Sequence, residues 1–454
     1  MISMSDISIR LAVGRSSGWL LSVLQDRVVR GSSLLTLGQV ACTASGYVVT
    51  VVLARALGVE GYGTYGLIIS ILVWLEMILA PGIGMALEKS VASQPQKAGI
   101  LWRQAIWVQG AIAAVLFGVT FILAPVISNL LNDPQLTFFR RFAAVDLLFF
   151  GFFRLGRGLD TALQRFGRVA LIMGIYALVK AVAIPVLALT ELGLTGAIAG
   201  NTLASVVVVA VVFKLARRLT GTSSTHLADE LRENFLSVIP LSIFITTSQI
   251  LVSLDLWAVK FIGASDAIIG LYVAATMLPK ALIIISAGRM GMMNALVGRS
   301  RADGDYKSTR QALLKVSMFF GAMTGAGMLV VYMLADFLIT LIFSESYAAG
   351  TPYLKVLIVS YGAFAIAEML SSALIAFDRS WFLCSVWGAA ALLAVPLYVA
   401  AGQLWGPIGI AYSIGILSVI VASCLAWMIK SELAKLRVAR RRLGPLYAVQ
   451  KPSA

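Results

Sequence analysis

Residues 33–54 read SLLTLGQVACTASGYVVTVVLA, a run without a single charge that stops at Arg55. A helix of about 20 apolar residues, rising ~1.5 Å per residue, crosses the ~30 Å hydrocarbon core of a bilayer, so this run reads as a membrane span. Working outward, residues 104–124, 316–335, 381–401 and 407–429 are equally free of charge. Further apolar runs at 64–87, 142–162, 169–189, 196–213, 235–262, 268–287 and 356–377 bring the expected number of spans to twelve. The run at 142–162 is the least apolar, because Arg154, Arg157 and Asp160 interrupt it. Hydrophobic residues make up 59% of the chain and charged ones 13%, against roughly 25% charged in a soluble domain. An all-α polytopic membrane protein of about twelve transmembrane helices is expected.

Lys and Arg alternate between rich and poor connections. The rich set comprises the N-terminal segment, Lys89 with Lys97 and Arg103, Arg154 to Arg168, Lys214 to Arg232, Arg289 to Lys315, Arg379 and the tail. The intervening connections hold only Arg55, Arg140, Arg141, Lys260 and Lys355. Cationic loops stay on the cytoplasmic side, so both termini are expected in the cytoplasm. The net charge of +15 then serves orientation and contact with anionic membrane lipids, and no nucleic-acid partner is expected.

Catalytic and cofactor motifs are missing. Cys42, Cys384 and Cys424 fall in apolar spans with neither disulfide nor zinc spacing. The sole histidine, His226, sits in a polar central loop. No phosphate loop, zinc-protease motif or nucleophile elbow occurs, so a transporter without cofactor, metal or catalytic residue is expected, and not an enzyme. Residues 1–31 mix Ile, Leu, Val and Trp19 with Arg10, Arg15, Asp26 and Arg27. They lack the core and cleavage site of a signal peptide and read as a cytoplasmic segment, either an interfacial amphipathic helix or a mobile tail.

The polar stretch 214–234 divides the chain into a six-span lobe at 32–213 and another at 235–429, followed by a basic tail at 430–454. Ala54-Arg55-Ala56-Leu57-Gly58 and the later Gly66-Leu67 have counterparts in Val259-Lys260-Phe261-Ile262-Gly263 and Gly270-Leu271-Tyr272, with a one-residue gap. Six spans per half make this a parallel repeat about an axis along the membrane normal, with a central cavity between the lobes. The pairs Gly196/Gly200 and Gly321/Gly325 have the small-x-x-x-small spacing of close helix packing.

Charges within spans are costly and face a partner or a wet path. Glu76, Lys180 and Glu368 lie near the centres of their spans, Lys280 nearer the cytoplasm, and Asp255 toward the outer end. Glu76 and Lys180 form either a structural pair or parts of a substrate path. Asp146 is expected to pair with Arg140 or Arg141. Arg154 and Arg157 share a helix face, with Asp160 a step further, as membrane-end anchors or as a basic lining of the cavity. Pro81, Pro185 and Pro279 lie close to Glu76, Lys180 and Lys280 and mark kinked helices.

The segment LARALGVEGYGTYG at 53–66 resembles the first-loop signature of bacterial polysaccharide flippases, of the multidrug/oligosaccharidyl-lipid/polysaccharide exporter (MOP) superfamily. Asp255-Leu256-Trp257 and the stretch from Phe261 to Ala275 look like the second-half counterpart. The resemblance implies translocation of a polyprenyl diphosphate-linked oligosaccharide for lipopolysaccharide, exopolysaccharide or capsule assembly, by alternating access, with polysaccharide polymerase or export proteins as partners. Arg55, Arg154, Arg157, Lys180 and Lys280 are the candidates for diphosphate or acidic sugars, and Glu76, Asp255 and Glu368 for ion coupling. A drug or cation antiporter, a peptidoglycan lipid-precursor flippase and a membrane-embedded glycosyltransferase or polymerase are the alternatives. Membrane potential and ion antiport both remain open as the energy source.

Overall fold

The computed structural model describes residues 27–130, 133–134, 136–217, 227–285, 292–302 and 306–443. The expected amphipathic segment before residue 27, residues 218–226 of the central linker with His226, and the end of the basic tail lie outside the described residues. The main helices are α1 (Arg27–Leu79), α2 (Gly82–Ser93), α3 (Ala98–Leu130), α4 (Leu136–Ala144), α5 (Leu147–Ala162), α6 (Phe166–Ala188), α7 (Gly193–Ala216), α8 (Leu227–Phe261), α9 (Asp266–Ile285), α10 (Tyr306–Met333), α11 (Ala335–Phe343), α12 (Thr351–Ala376) and α13 (Ser380–Leu443).

Eight continuous helical stretches are long and apolar enough to cross a membrane. Two of them, Leu34–Ser93 and Ser380–Val438, would run to about 90 Å if straight, three times the hydrocarbon thickness. Each folds back instead, at Gly58 (φ 66°) and Gly406 (φ 64°), where only a residue without Cβ enters the left-handed region freely. With α4–α5 and α9 the chain makes twelve passes, as the apolar runs predict. Large apolar side chains such as Val115, Ile122, Leu178 and Leu392 are exposed on the outside, the surface that lipid covers.

The turns demonstrate the repeat. Gly58 matches Gly263 (φ 81°), Gln164 (φ 54°) matches Asp378 (φ 57°), and Gly193 (φ 50°) matches Gly406. After α5, the N–H of Arg165 donates to the carbonyl of Asp160 at 2.8 Å; after α12, that of Arg379 donates to Leu374 at 3.0 Å. Both are Schellman closures, in which a left-handed residue lets the chain satisfy the last helical carbonyls. Identical punctuation at three places in each half is the mark of two parallel six-helix lobes.

One expected span is broken. The run 64–87 stops at Leu79 and resumes at Gly82, because Pro81 has no N–H for the carbonyl of Met77 and its ring crowds that turn. The freed Met77 oxygen accepts from the Thr246 hydroxyl of the other lobe at 3.0 Å, so the kink is also a joint between lobes. Nearby, the Trp257 indole N–H donates to Ser70 at 2.8 Å and the ring meets Trp74 edge-on. The closest approach is between the second arm of α1 and α9. A Cβ on Gly270 would lie 1.9 Å from the carbonyl oxygen of Val59, and one on Gly63 would lie 2.7 Å from that of Asp266.

Candidate functional site

Within the N-terminal lobe the polar side chains collect in one place. Glu76, near the end of α1, and Asp146, in the turn between α4 and α5, are buried with their carboxyl groups within hydrogen-bonding reach. Among the described residues neither oxygen of Asp146 has a hydrogen-bond donor in range, and two facing carboxylates offer each other none. Lys180 of α6 and Ser205 of α7 complete the surround. The Lys180 ammonium contacts Tyr176, 3.4 Å from the hydroxyl and 5.4 Å from the ring centroid, a cation–π arrangement. It makes no direct salt bridge to Glu76. Asp146 does not pair with Arg140 or Arg141: Arg140 donates to Ser128 at 3.2 Å and Arg141 to the carbonyl of Phe121 at 3.2 Å. The turn between α4 and α5 points its acid inward while both arginines stay a helical turn away on α4.

Toward the ends of α2 and α5 the sign of the charge changes. A Cβ on Gly158 would meet the Gly84 carbonyl at 2.9 Å, and this backbone crossing brings Arg154 and Arg157 beside Glu88. Arg154 also feels Glu76. Asp160 departs from the expected trio and pairs instead with Arg165 at 3.9 Å and Arg168 at 4.0 Å. The result is a ladder from the carboxyl pair through Lys180 and Arg154 to Arg157.

The C-terminal lobe holds a second cluster. Asp255 accepts from the Tyr361 hydroxyl at 2.9 Å, from Tyr272 at 3.5 Å and from the backbone N–H of Leu256 at 2.8 Å. Lys280 adds its field and lies 5.8 Å above the Tyr361 ring. With three donors at its oxygens, Asp255 is built as an anchor of this lobe. Glu368 lies on α12, half-buried, two turns beyond Tyr361. Arg55 belongs to neither cluster; it reaches the carbonyl of Leu341 at 2.8 Å, at the end of the bundle where α1 turns at Gly58.

The repeat relates these charges by inversion. Glu76 follows Gly66 by ten residues and Lys280 follows Gly270 by ten; Arg154 precedes Gln164 by ten and Glu368 precedes Asp378 by ten. Equivalent positions of the two lobes therefore carry opposite charges. Glu88, Tyr176 and Ser205 join the candidate site without a signal in the sequence, and Asp146 joins it in place of the expected arginine pairing. The pairing of Asp146 with an arginine is the natural assumption for adjacent opposite charges, and only the fold turns it away.

The fold is one that MOP-superfamily transporters share. It superposes with a TM-score of 0.75 on an inward-facing multidrug resistance MATE family transporter, at 15% identity over 87% of this chain and 95% of that one. It also matches the lipid II flippase MurJ in an inward closed conformation, with a TM-score of 0.72, 16% identity and coverage of 93% and 94%. A third match is the eukaryotic MATE transporter AtDTX14, at 0.66, 16% identity, 92% and 100%. No curated protein matches in sequence. The profile of the polysaccharide biosynthesis protein family matches residues 28–288, more than half of the chain, and the chain belongs to that family.

Proposed function

We propose that this protein flips a polyprenyl diphosphate-linked oligosaccharide from the cytoplasmic to the outer leaflet of a bacterial inner membrane, supplying lipopolysaccharide, exopolysaccharide or capsule assembly. Both termini face the cytoplasm in this reading. The observation that carries it is the half-buried basic ladder of Lys180, Arg154 and Arg157 inside one lobe of a polysaccharide-family transporter fold. Guanidinium groups pair with phosphate oxygens in a forked geometry that ammonium groups cannot match, so Arg154 and Arg157 receive the diphosphate near the cytoplasmic entrance and Lys180 holds it deeper. Lys280 offers the matching cation in the opposite lobe. Arg55, with its hydrogen bond at the far face, acts outside the path.

Glu76 and Asp146 are the coupling pair in this reading, with Glu368 a further acidic group on the opposite lobe and Asp255 structural. A proton on the pair and an anion on the basic ladder offset each other's charge, so protonation of the pair and occupancy of the ladder are linked. The test is mass spectrometry of polyprenyl-linked lipids in cells lacking the protein and in cells with it restored. Accumulation of one diphosphate-linked oligosaccharide only in its absence supports flipping and names the cargo. An unchanged lipid profile with altered drug sensitivity would instead support an exporter.

A further inference from the structure

Arg140 on α4 is 4% exposed, and its Nε and Nη2 have no hydrogen-bond partner among the described residues; Nη1 alone is engaged, by Ser128. Asp133, the acid whose field reaches it, is held by Lys260 at 3.0 Å. A buried cation with two free donors is costly unless an anion meets it. The guanidinium lines a groove of about 300 Å³ whose other walls are Ile68, Leu75, Leu116, Leu123 and their neighbours. Ile71, Trp74 and Ile127 are shared with a neighbouring groove of about 340 Å³ between the lobes, whose further walls are Leu254, Trp257, Phe261, Val395 and Tyr398. Each stretch has the size of a small-ligand site. Val119, Leu123, Phe261 and Val395 on the rim are exposed, so the groove opens sideways into the bilayer.

We propose that this groove binds the isoprenoid chain of the lipid carrier, with its phosphate on Arg140, in the membrane half opposite the termini. The assignment rests on the flippase reading above. A carrier whose sugars occupy the space between the lobes while its tail stays in lipid must pass its chain through a seam between them. Here the stretch between the lobes is apolar, and the adjoining stretch within the N-terminal lobe has among its walls Arg140, whose buried Nε and Nη2 lack a partner. A single chain with one anionic end matches it in shape and charge.

The experiment uses the full-length protein in phosphatidylcholine nanodiscs and a photoactivatable polyprenyl phosphate. Crosslinks are expected within residues 68–78 and 116–127, competed by polyprenyl phosphate and not by uncharged polyprenol. Labelling should fall about tenfold in Arg140→Gln and stay unchanged in Arg141→Gln. Ile127→Trp, which blocks the junction of the two stretches without touching the cation, should also reduce it and guards against misfolding of the first variant. Unchanged labelling in Arg140→Gln and Ile127→Trp would overturn the site, as would equal competition by phosphatidylglycerol, which would make it a general phospholipid groove. In cells, full clearance of accumulated lipid-linked oligosaccharide by Arg140→Gln would sink the site and leave the flippase standing. Groove labelling without any accumulation in cells lacking the protein would sink the flippase reading alone.

Discussion

Arg55 and Lys260 occupy equivalent positions in the two halves and reach across the seam in opposite directions. Arg55, from the N-terminal lobe, donates to the carbonyl of Leu341 on α11; Lys260, from the C-terminal lobe, bonds Asp133 beyond α3 at 3.0 Å and Asp266 of its own lobe at 2.7 Å. The Tyr347 hydroxyl adds a bond to the carbonyl of Ala54 at 2.8 Å. The most recognisable stretch of the sequence is thus a reciprocal clasp on one face of the protein.

Lys260→Met should loosen that clasp. It leaves Asp133 and Asp266 facing each other without their cation, a loss of about 1 kcal/mol because water still reaches both carboxylates. With the native cysteines replaced, a cysteine at Ser70 should become several-fold more reactive toward a membrane-impermeant maleimide, while Lys260→Arg keeps the parental rate. Equal reactivity in both variants would mean the clasp does not hold the lobes.

Arg154→Gln and Arg157→Gln should each slow flipping in proteoliposomes at least tenfold with expression and thermal midpoint unchanged. Lys355→Gln is the control. Lys355 pairs with Asp336 at 2.9 Å in an exposed position, where an ion pair contributes little. Loss of folded protein in the arginine variants would assign them to structure.

The two carboxyl clusters should part company when neutralised. Asp146→Asn and Glu76→Gln should fold normally yet lose stimulation of flipping by an imposed proton gradient. Asp255→Asn should lower the thermal midpoint while leaving any gradient response intact, because it disturbs the bonds from Tyr361 and Tyr272. A parental protein indifferent to the gradient at zero potential would leave charge movement, worth about 2.3 kcal/mol per charge at 100 mV, as the driving force.

Glycine substitutions separate close approach from bare spacing. A Cβ on Gly200 would lie 2.7 Å from the Ile184 backbone, whereas Gly321 and Gly325 have nothing within 4 Å. Gly200→Val should cut folded yield sharply. Gly321→Ala should be neutral or stabilising by up to about 1 kcal/mol, the helix preference of Ala over Gly. The thermal midpoint of the purified protein reads both.

The expected packing role thus holds for Gly196 and Gly200 and fails for Gly321 and Gly325, although the two sequence patterns are the same. Spacing says that two small residues share a helix face; it does not say whether the face meets a helix or lipid. On α10 the buried row is Thr309, Leu313, Val316, Phe320 and Thr324, and the glycines lie off it. The twelve spans and the repeat were legible because apolar length and turn chemistry are local properties. Arg154, Arg157, Lys180 and Glu76 stood out for the same reason, as charges where charge is costly. The Glu76–Asp146 pair and the orphaned Arg140 were not legible, since each depends on which helices touch, and adjacent sequence suggested another partner.

The contact of Gly270 with Val59 lies within a turn or two of one face of the membrane, where the second arm of α1 and α9 both begin. A tilt of about 10° between the lobes pivoting there displaces their distant ends by roughly 5 Å across a 30 Å core. That gain is the mechanical advantage of a nutcracker. With no side chain on Gly270 to hold the two backbones apart, rocking of the lobes about this contact would carry the residues at the far end, Arg157 and Glu88 among them, the furthest.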